Sequence, residues 1–191
     1  MTTSTDGVFT TYRGDESSAA FAAARSIYSE AYAEAPYHEG PADFSDFAKS
    51  LSHRAKAPSF RVVVATVRGE AIGFALGHQL SPGTRWWDGA LAPLPTDLTQ
   101  EWPGRTFAVI ELAVRAPWRR RGYAAQLHAH LTAGLEEERL TLLVRPDAEP
   151  AHRAYTSWGY HQVGQIQPFD GGPIYDAMLR PTMLTRADDK R

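Results

Sequence analysis

Cysteine is absent from the 191-residue chain, which excludes disulfides, thiolate nucleophiles, Fe–S clusters and cysteine zinc sites. A charge excess of either sign is absent as well. The 20 lysines and arginines face 22 aspartates and glutamates, for a formal net charge of −2. A dedicated nucleic-acid binder carries a clear basic excess, so that class of partner is disfavoured. No apolar run approaches the roughly 20 residues of a membrane span. The first residues, Met1–Asp6, lack the basic start and apolar segment of a signal peptide. A cytoplasmic chain with no membrane partner is expected. Two familiar phosphate loops are missing too. There is no Gly-x4-Gly-Lys-Ser/Thr, and only Gly122 stands where a dinucleotide fingerprint needs three glycines. No Gly-x-Ser-x-Gly elbow supports a serine hydrolase. The 7 histidines form no His-x3-His or histidine–carboxylate cluster, so no metal is expected.

What is present is enough for one core, with 43% hydrophobic residues. One domain is expected over 8–182, between a disordered tail at 1–7 and a polar one at 183–191. Strand and helix patterns interleave. A short strand at Val8–Arg13 precedes a helix from Asp15, its N-cap, to Glu34, marked by Ala20, Ala24, Ile27 and Ala31. Pro36–Pro41 breaks it, and a second helix runs from Phe44 to Ala55. Strands Phe60–Val67 and Ala71–Leu80 flank the turn Arg68–Glu70. Ser81–Arg105 reads as a long loop with Trp86, Trp87 and Trp102. Then come the apolar run Phe107–Val114, a helix with Leu127, Leu131 and Leu135 on one stripe, and a strand at Leu140–Val144. A helix at Pro150–Trp158 and strands near His161–Gln167 and Ile174–Leu179 close the chain. The order describes an α/β domain with a mixed sheet.

The segment richest in chemistry is the strand, turn and helix from Glu111 to Leu127. A turn entering a helix offers unpaired N–H groups and the positive end of the helix dipole. Gly122 and Ala124 let a phosphate approach the backbone closely, and Arg119, Arg120 and Arg121 add charge. The same pattern is also compatible with a solvated basic turn. Glu111 shares a strand face with Phe107, Val109 and Ala113, an acidic group on an apolar surface. It is either a general base whose pKa is raised by burial or a carboxylate paired with an arginine.

Arg119-Arg-Arg-Gly-Tyr-Ala124 resembles the Arg/Gln-x-x-Gly-x-Gly/Ala signature of the GNAT superfamily of acyl-CoA-dependent N-acyltransferases. Leu112–Val114 looks like that family's central strand, and Ala151-x3-Tyr155-x3-Gly159-Tyr160 looks like its last helix. The tryptophan- and arginine-rich wording is similar to actinobacterial members. The resemblance covers nearly the whole chain and implies the GNAT (acyl-CoA N-acyltransferase) fold, a mixed central β-sheet flanked by helices.

It also implies roles. The backbone of Leu112, Ala113 and Val114 pairs with the pantetheine arm and polarises the thioester carbonyl. The turn of Arg119, Arg120, Arg121, Gly122, Tyr123, Ala124 and Ala125 holds the pyrophosphate. Tyr155 is the general acid, and Glu111 the base, directly or through water. One departure is Ala148, where many members have asparagine, with Asp147 beside it as a substitute. Loops that border the acceptor pocket in this fold carry Tyr32, Tyr37, His38, Glu39, Trp86, Trp87 and Tyr175, with Asp176 next to the last. Aromatics with a carboxylate suit an amine.

The expected activity is transfer of an acetyl or short acyl group from acetyl-CoA to a primary amine of a small molecule or peptide, in a ternary complex. No metal is implied, and either a monomer or a homodimer is compatible. A second reading is a non-catalytic acyl-CoA-binding module. A third is a nucleic-acid partner engaged by Arg115 and Arg119–Arg121.

Overall fold

The computed structural model describes residues 7–182. The two expected tails, apart from Gly7, lie outside the described residues. Strands β1 (Val8–Arg13), β2 (Arg61–Val67), β3 (Glu70–Gln79), β4 (Thr106–Val114), β5 (Arg139–Val144), β6 (His161–Ile166) and β7 (Tyr175–Pro181) are hydrogen-bonded in the order β1-β2-β3-β4-β5-β7-β6. The β4–β5 pair is parallel, and the β1–β2, β2–β3, β5–β7 and β6–β7 pairs are antiparallel. This is the expected mixed sheet. Helices are α1 (Phe21–Tyr32), α2 (Pro41–Arg54), α3 (Thr96–Thr99), α4 (Tyr123–Thr132) and α5 (Glu149–Ser157). None is long and apolar enough to cross a membrane.

The described chain packs as two compact units. The first holds residues up to His78 together with Val109–Ala133. Ile27 of α1, Leu51 of α2, Val62 and Val64 of β2, and Phe74 and Leu76 of β3 form its buried cluster. Gly73 permits a close approach, since a Cβ there would lie 2.9 Å from Leu127 Cδ1 and 3.0 Å from the Ala113 carbonyl oxygen. The second unit holds Gln79–Ala108 and the chain from Gly134 onward. Its cluster centres on Trp87, Ile166 and Ala177.

Several boundaries differ from expectation. Gly14–Ala20 is a 3-10 helix with Arg13, not Asp15, at its N-cap, and α1 starts only at Phe21. Ser18 Oγ donates to the Asp15 carbonyl, a local bond that competes with an α-turn. Pro41 begins α2, where its missing N–H is no loss, while Gly40 N–H donates to Asp43 Oδ2 at 2.9 Å. Helix α4 stops at Thr132, so buried Leu135 lies past its end. His128 is buried with Tyr123, Leu127 and Leu131, because a core-facing stripe is wide enough to include the neighbour of Leu127. His130 is exposed and stacks on Phe9 at 4.9 Å.

The long loop carries α3 and a bridge between Ala90 and Ile166. Buried Arg139 anchors it, donating to Thr106 Oγ1, the Leu98 carbonyl and Glu101 Oε1. Glu101 Oε1 also accepts the Trp87 indole N–H at 2.9 Å.

Candidate active site

In the first unit, α1 carries Tyr28 and Tyr32 one turn apart on one face. Their rings stack at 4.3 Å, and Tyr28 stacks on Phe47 of α2 at 3.8 Å. Past the helix end the chain folds back. The N–H groups of Tyr37 and His38 donate to the Glu34 carbonyl, and Glu39 N–H donates to the Tyr32 carbonyl at 2.9 Å. His38 closes this turn in the left-handed region at φ 53°. Tyr37 thereby packs 4.6 Å from Tyr32, and the Tyr28 hydroxyl donates to the Glu39 carboxylate.

Glu111 of β4 reaches this group. The Tyr32 hydroxyl donates to Glu111 Oε2 at 2.7 Å, across 79 residues of sequence. Burial pushes the Glu111 carboxyl from 4.5 up to about 7 and the Glu39 charge pushes the same way, while the Tyr32 hydrogen bond and the Arg54 charge oppose them. The hydroxyl of Tyr28 is also pushed well up, by burial first and then by the Glu111 charge. The hydrogen-bonded partner of Glu111 is a tyrosine, and Arg54 acts on it through charge. Tyr28 and Arg54 were not singled out from the sequence. The four-residue spacing of Tyr28 and Tyr32 was the available signal for Tyr28, and Arg54 gave none.

The arginine turn follows β4. After the 3-10 turn Ala116–Trp118, Arg120 lies at φ 58° and Gly122 at φ 84°, and α4 begins at Tyr123. Gln126 N–H donates to the Gly122 carbonyl, so the N–H groups of Tyr123, Ala124 and Ala125 stand ahead of that first turn. A Cβ on Gly122 would meet nothing within 4 Å, which leaves open space over the turn. Left-handed residues among successive N–H groups form the concavity that anions occupy.

The arginines divide. Arg119 Nε donates to the Val114 carbonyl at 2.9 Å, and its Nη1 to Glu34 Oε2 at 2.6 Å. Arg119 thus ties the end of β4 to the end of α1. Arg121 lies over the Trp118 ring at 5.3 Å, and Arg120 is exposed. Leu112 is half-buried and Ala113 and Val114 are buried, with Arg115 N–H donating to the Ile72 carbonyl of β3.

In the second unit, Tyr155 is buried on α5, edge-on to Trp158 and Tyr160 at 5.5 and 5.8 Å. Ala148 is buried at the N-cap of α5. Asp147 is held by both nitrogens of an Arg145 fork at 2.9 and 2.6 Å, which commits the carboxylate suggested as a stand-in for asparagine. Trp87 is in the core, and Trp86 packs against the same cluster. Tyr175 is half-buried at the start of β7. Asp176 is buried, accepting from Gln162 and Gln165 and lying 3.3 Å from His152 Nε2. The expected residues therefore fall into two groups. Tyr32, Tyr37, Glu39, Glu111 and the arginine turn belong to the first unit, and Tyr155, Trp86, Trp87 and Tyr175 to the second. Among the described residues no cluster of histidine and carboxylate side chains is arranged to hold a metal ion.

A glycine turn at the start of α4 follows β4, the strand that carries Glu111. The chain belongs to the acetyltransferase (GNAT) family, whose model matches residues 21–160. The fold is similar to that of the ribosomal-protein-S18-alanine N-acetyltransferase from Escherichia coli, at 18% identity and TM-score 0.63 over 97% of this chain and 98% of that one. It is also similar to yncA from Salmonella typhimurium, solved with its cofactor acetyl-CoA, at 15% identity and TM-score 0.62 over 96% and 99%. A third is aminoglycoside 6'-acetyltransferase type Ii, at 14% identity and TM-score 0.62 over 91% and 96%. No curated protein sequence matches.

Proposed function

We propose that this chain is an N-acyltransferase that moves an acetyl or other short acyl group from acyl-CoA to a primary amine of a small molecule or peptide, in one ternary complex. The observation that carries the reading is Glu111, a half-buried carboxylate held by Tyr32 and shifted to titrate near neutrality, at about 7. A group that titrates there can both take up and release a proton at working pH.

The turn fits the cofactor, since Gly122 has open space above it and the N–H groups of Tyr123–Ala125 precede the first helical turn. The backbone of Arg120–Ala125 would hold the pyrophosphate, and the main chain of Leu112–Val114 the pantetheine arm. Acyl-CoA, when bound, supplies the activated thioester carbonyl. Glu111 removes the proton that the attacking amine must lose, and the Tyr155 hydroxyl supplies the proton that the departing sulfur needs. In the first unit, Tyr37, His38 and Glu39 lie on the turn that would meet the acceptor.

The non-catalytic reading keeps one observation in its favour, the buried Ala148 with Asp147 committed to Arg145. The nucleic-acid reading loses support. Arg115 is paired with Glu30 and Glu70, and Arg119 with Glu34, so half of its four arginines are neutralised.

The test is CoA release from acetyl-CoA over a panel of amines, aminoglycosides, amino acids and peptides, run beside thermal melts with CoA. A raised Tm with turnover on some amine supports the enzyme. A raised Tm with no turnover on any supports the binding module, and no shift with millimolar CoA removes both.

A further inference from the structure

We infer that Tyr32 is a positioning residue for the base: its hydroxyl occupies Glu111 Oε2 and so directs proton uptake to Oε1. The inference rests on the assignment of Glu111 as base. The geometry carries it. Tyr32 sits at the last position of α1, and its hydroxyl is 2.7 Å from Glu111 Oε2. Its ring cannot swing freely, because Tyr28 stacks on one side at 4.3 Å and Tyr37 packs at 4.6 Å. Tyr28 is itself clamped on Phe47 at 3.8 Å, so the hydroxyl is aimed by a column of rings that runs into the core of the unit. The backbone bond from Glu39 N–H to the Tyr32 carbonyl fixes the same residue from its other end.

The hydrogen bond has two consequences. A phenol that donates to one oxygen selects a single carboxylate rotamer, which pre-sets the remaining oxygen for transfer. It also favours the ionised form, the form able to accept a proton. The groups facing Glu111 are Tyr32 and Tyr28 from α1, Glu39 from the turn, and Arg54 from α2. Burial and Glu39 disfavour its charge, and Tyr32 and Arg54 support it. In the proton step the acceptor nitrogen loses its proton to Oε1. Tyr32 keeps its own proton throughout, so it is neither acid nor base.

The experiment compares wild type, Tyr32→Phe, Glu111→Gln and the double variant. The Glu111 side-chain carboxyl is followed by 13C NMR titration in the free protein, its signal assigned by its loss in Glu111→Gln. Phenylalanine keeps the stacked ring and removes only the hydroxyl. The Glu111 titration should move up by about one pH unit. The acidic limb of kcat should move with it, at unchanged affinity for CoA by thermal shift. An unmoved titration overturns the inference, as does a Tyr32→Phe protein that loses activity equally at every pH. If Glu111→Gln keeps the wild-type pH profile, Glu111 is not the base, and the assignment beneath the inference fails. A moved limb in Tyr32→Phe that is absent from both variants carrying Glu111→Gln upholds both.

Discussion

At the scale of a residue, Glu111 is a position whose charge works against stability. Its carboxyl titrates at about 7 in the folded protein against 4.5 ordinarily. Between those two values the folded state holds a proton that the unfolded chain has released, so stability falls as pH rises. The cost is fully present above about 7 and absent below 4.5. Glutamine escapes it at every pH and can still accept the Tyr32 hydroxyl. Glu111→Gln should therefore raise Tm relative to wild type more at pH 8 than at pH 4.5, measured by calorimetry in matched buffers. A Tm difference that does not change with pH would overturn the burial argument. Tyr155 offers the complementary case. Tyr155→Phe keeps the edge-on contacts with Trp158 and Tyr160. Loss of a proton donor should lower kcat by roughly ten- to a thousandfold, with CoA affinity unchanged. An unchanged kcat would make Tyr155 a packing residue.

At the scale of an element, the turn into α4 has a conformational requirement that the residue types state and the backbone meets. Gly122 stands at φ 84°, where a β-branched residue is strained whether or not a ligand is present. Gly122→Val should lower Tm by an amount set by that strain and should also erase the further rise that CoA produces. The second difference is the informative one, since it cancels the strain. A Gly122→Val protein that CoA still stabilises fully would place the phosphates elsewhere.

The same elements show what was legible. The strands and α5 were readable because their patterns depend on neighbours two to four positions away. The start of α1 was not, because Asp15 bonds locally with Ser18 and holds a 3-10 turn where periodicity alone describes α-helix. Pro41 was read as a breaker although a proline is equally suited to begin a helix. The Glu111 face was legible from alternation, but its partner was not. Tyr32 lies 79 residues away, and no local pattern joins the two.

At the scale of the whole molecule, the pairing of acids and bases decides where charge remains available. With a net charge of −2 the chain has no excess for an anionic polymer. Arg115 and Arg119 are spent on carboxylates of α1, the residues just past it and the first residue of β3. In the arginine turn all three arginines are exposed, Arg119 paired with Glu34 and Arg121 set over the Trp118 ring. On the acidic side, Glu39 and Glu111 face a tyrosine column with Arg54 as the one cation among the groups that shift Glu111. The pH dependence of turnover should follow from this arrangement. With Glu111 as base, kcat should rise with pH through about 7 as the carboxyl ionises, then level off. An acceptor amine of ordinary basicity, near about 10.4, adds a second and higher limb in kcat/KM, because only its neutral form attacks. Glu111→Gln should remove the lower limb and keep the upper one, so that the loss is greatest near neutrality and shrinks in alkali. Steady-state rates at saturating acetyl-CoA from roughly pH 5.5 to 10 span both limbs and would separate them. A Glu111→Gln protein that keeps both limbs would assign the lower one to another group, with Glu39 the next to test.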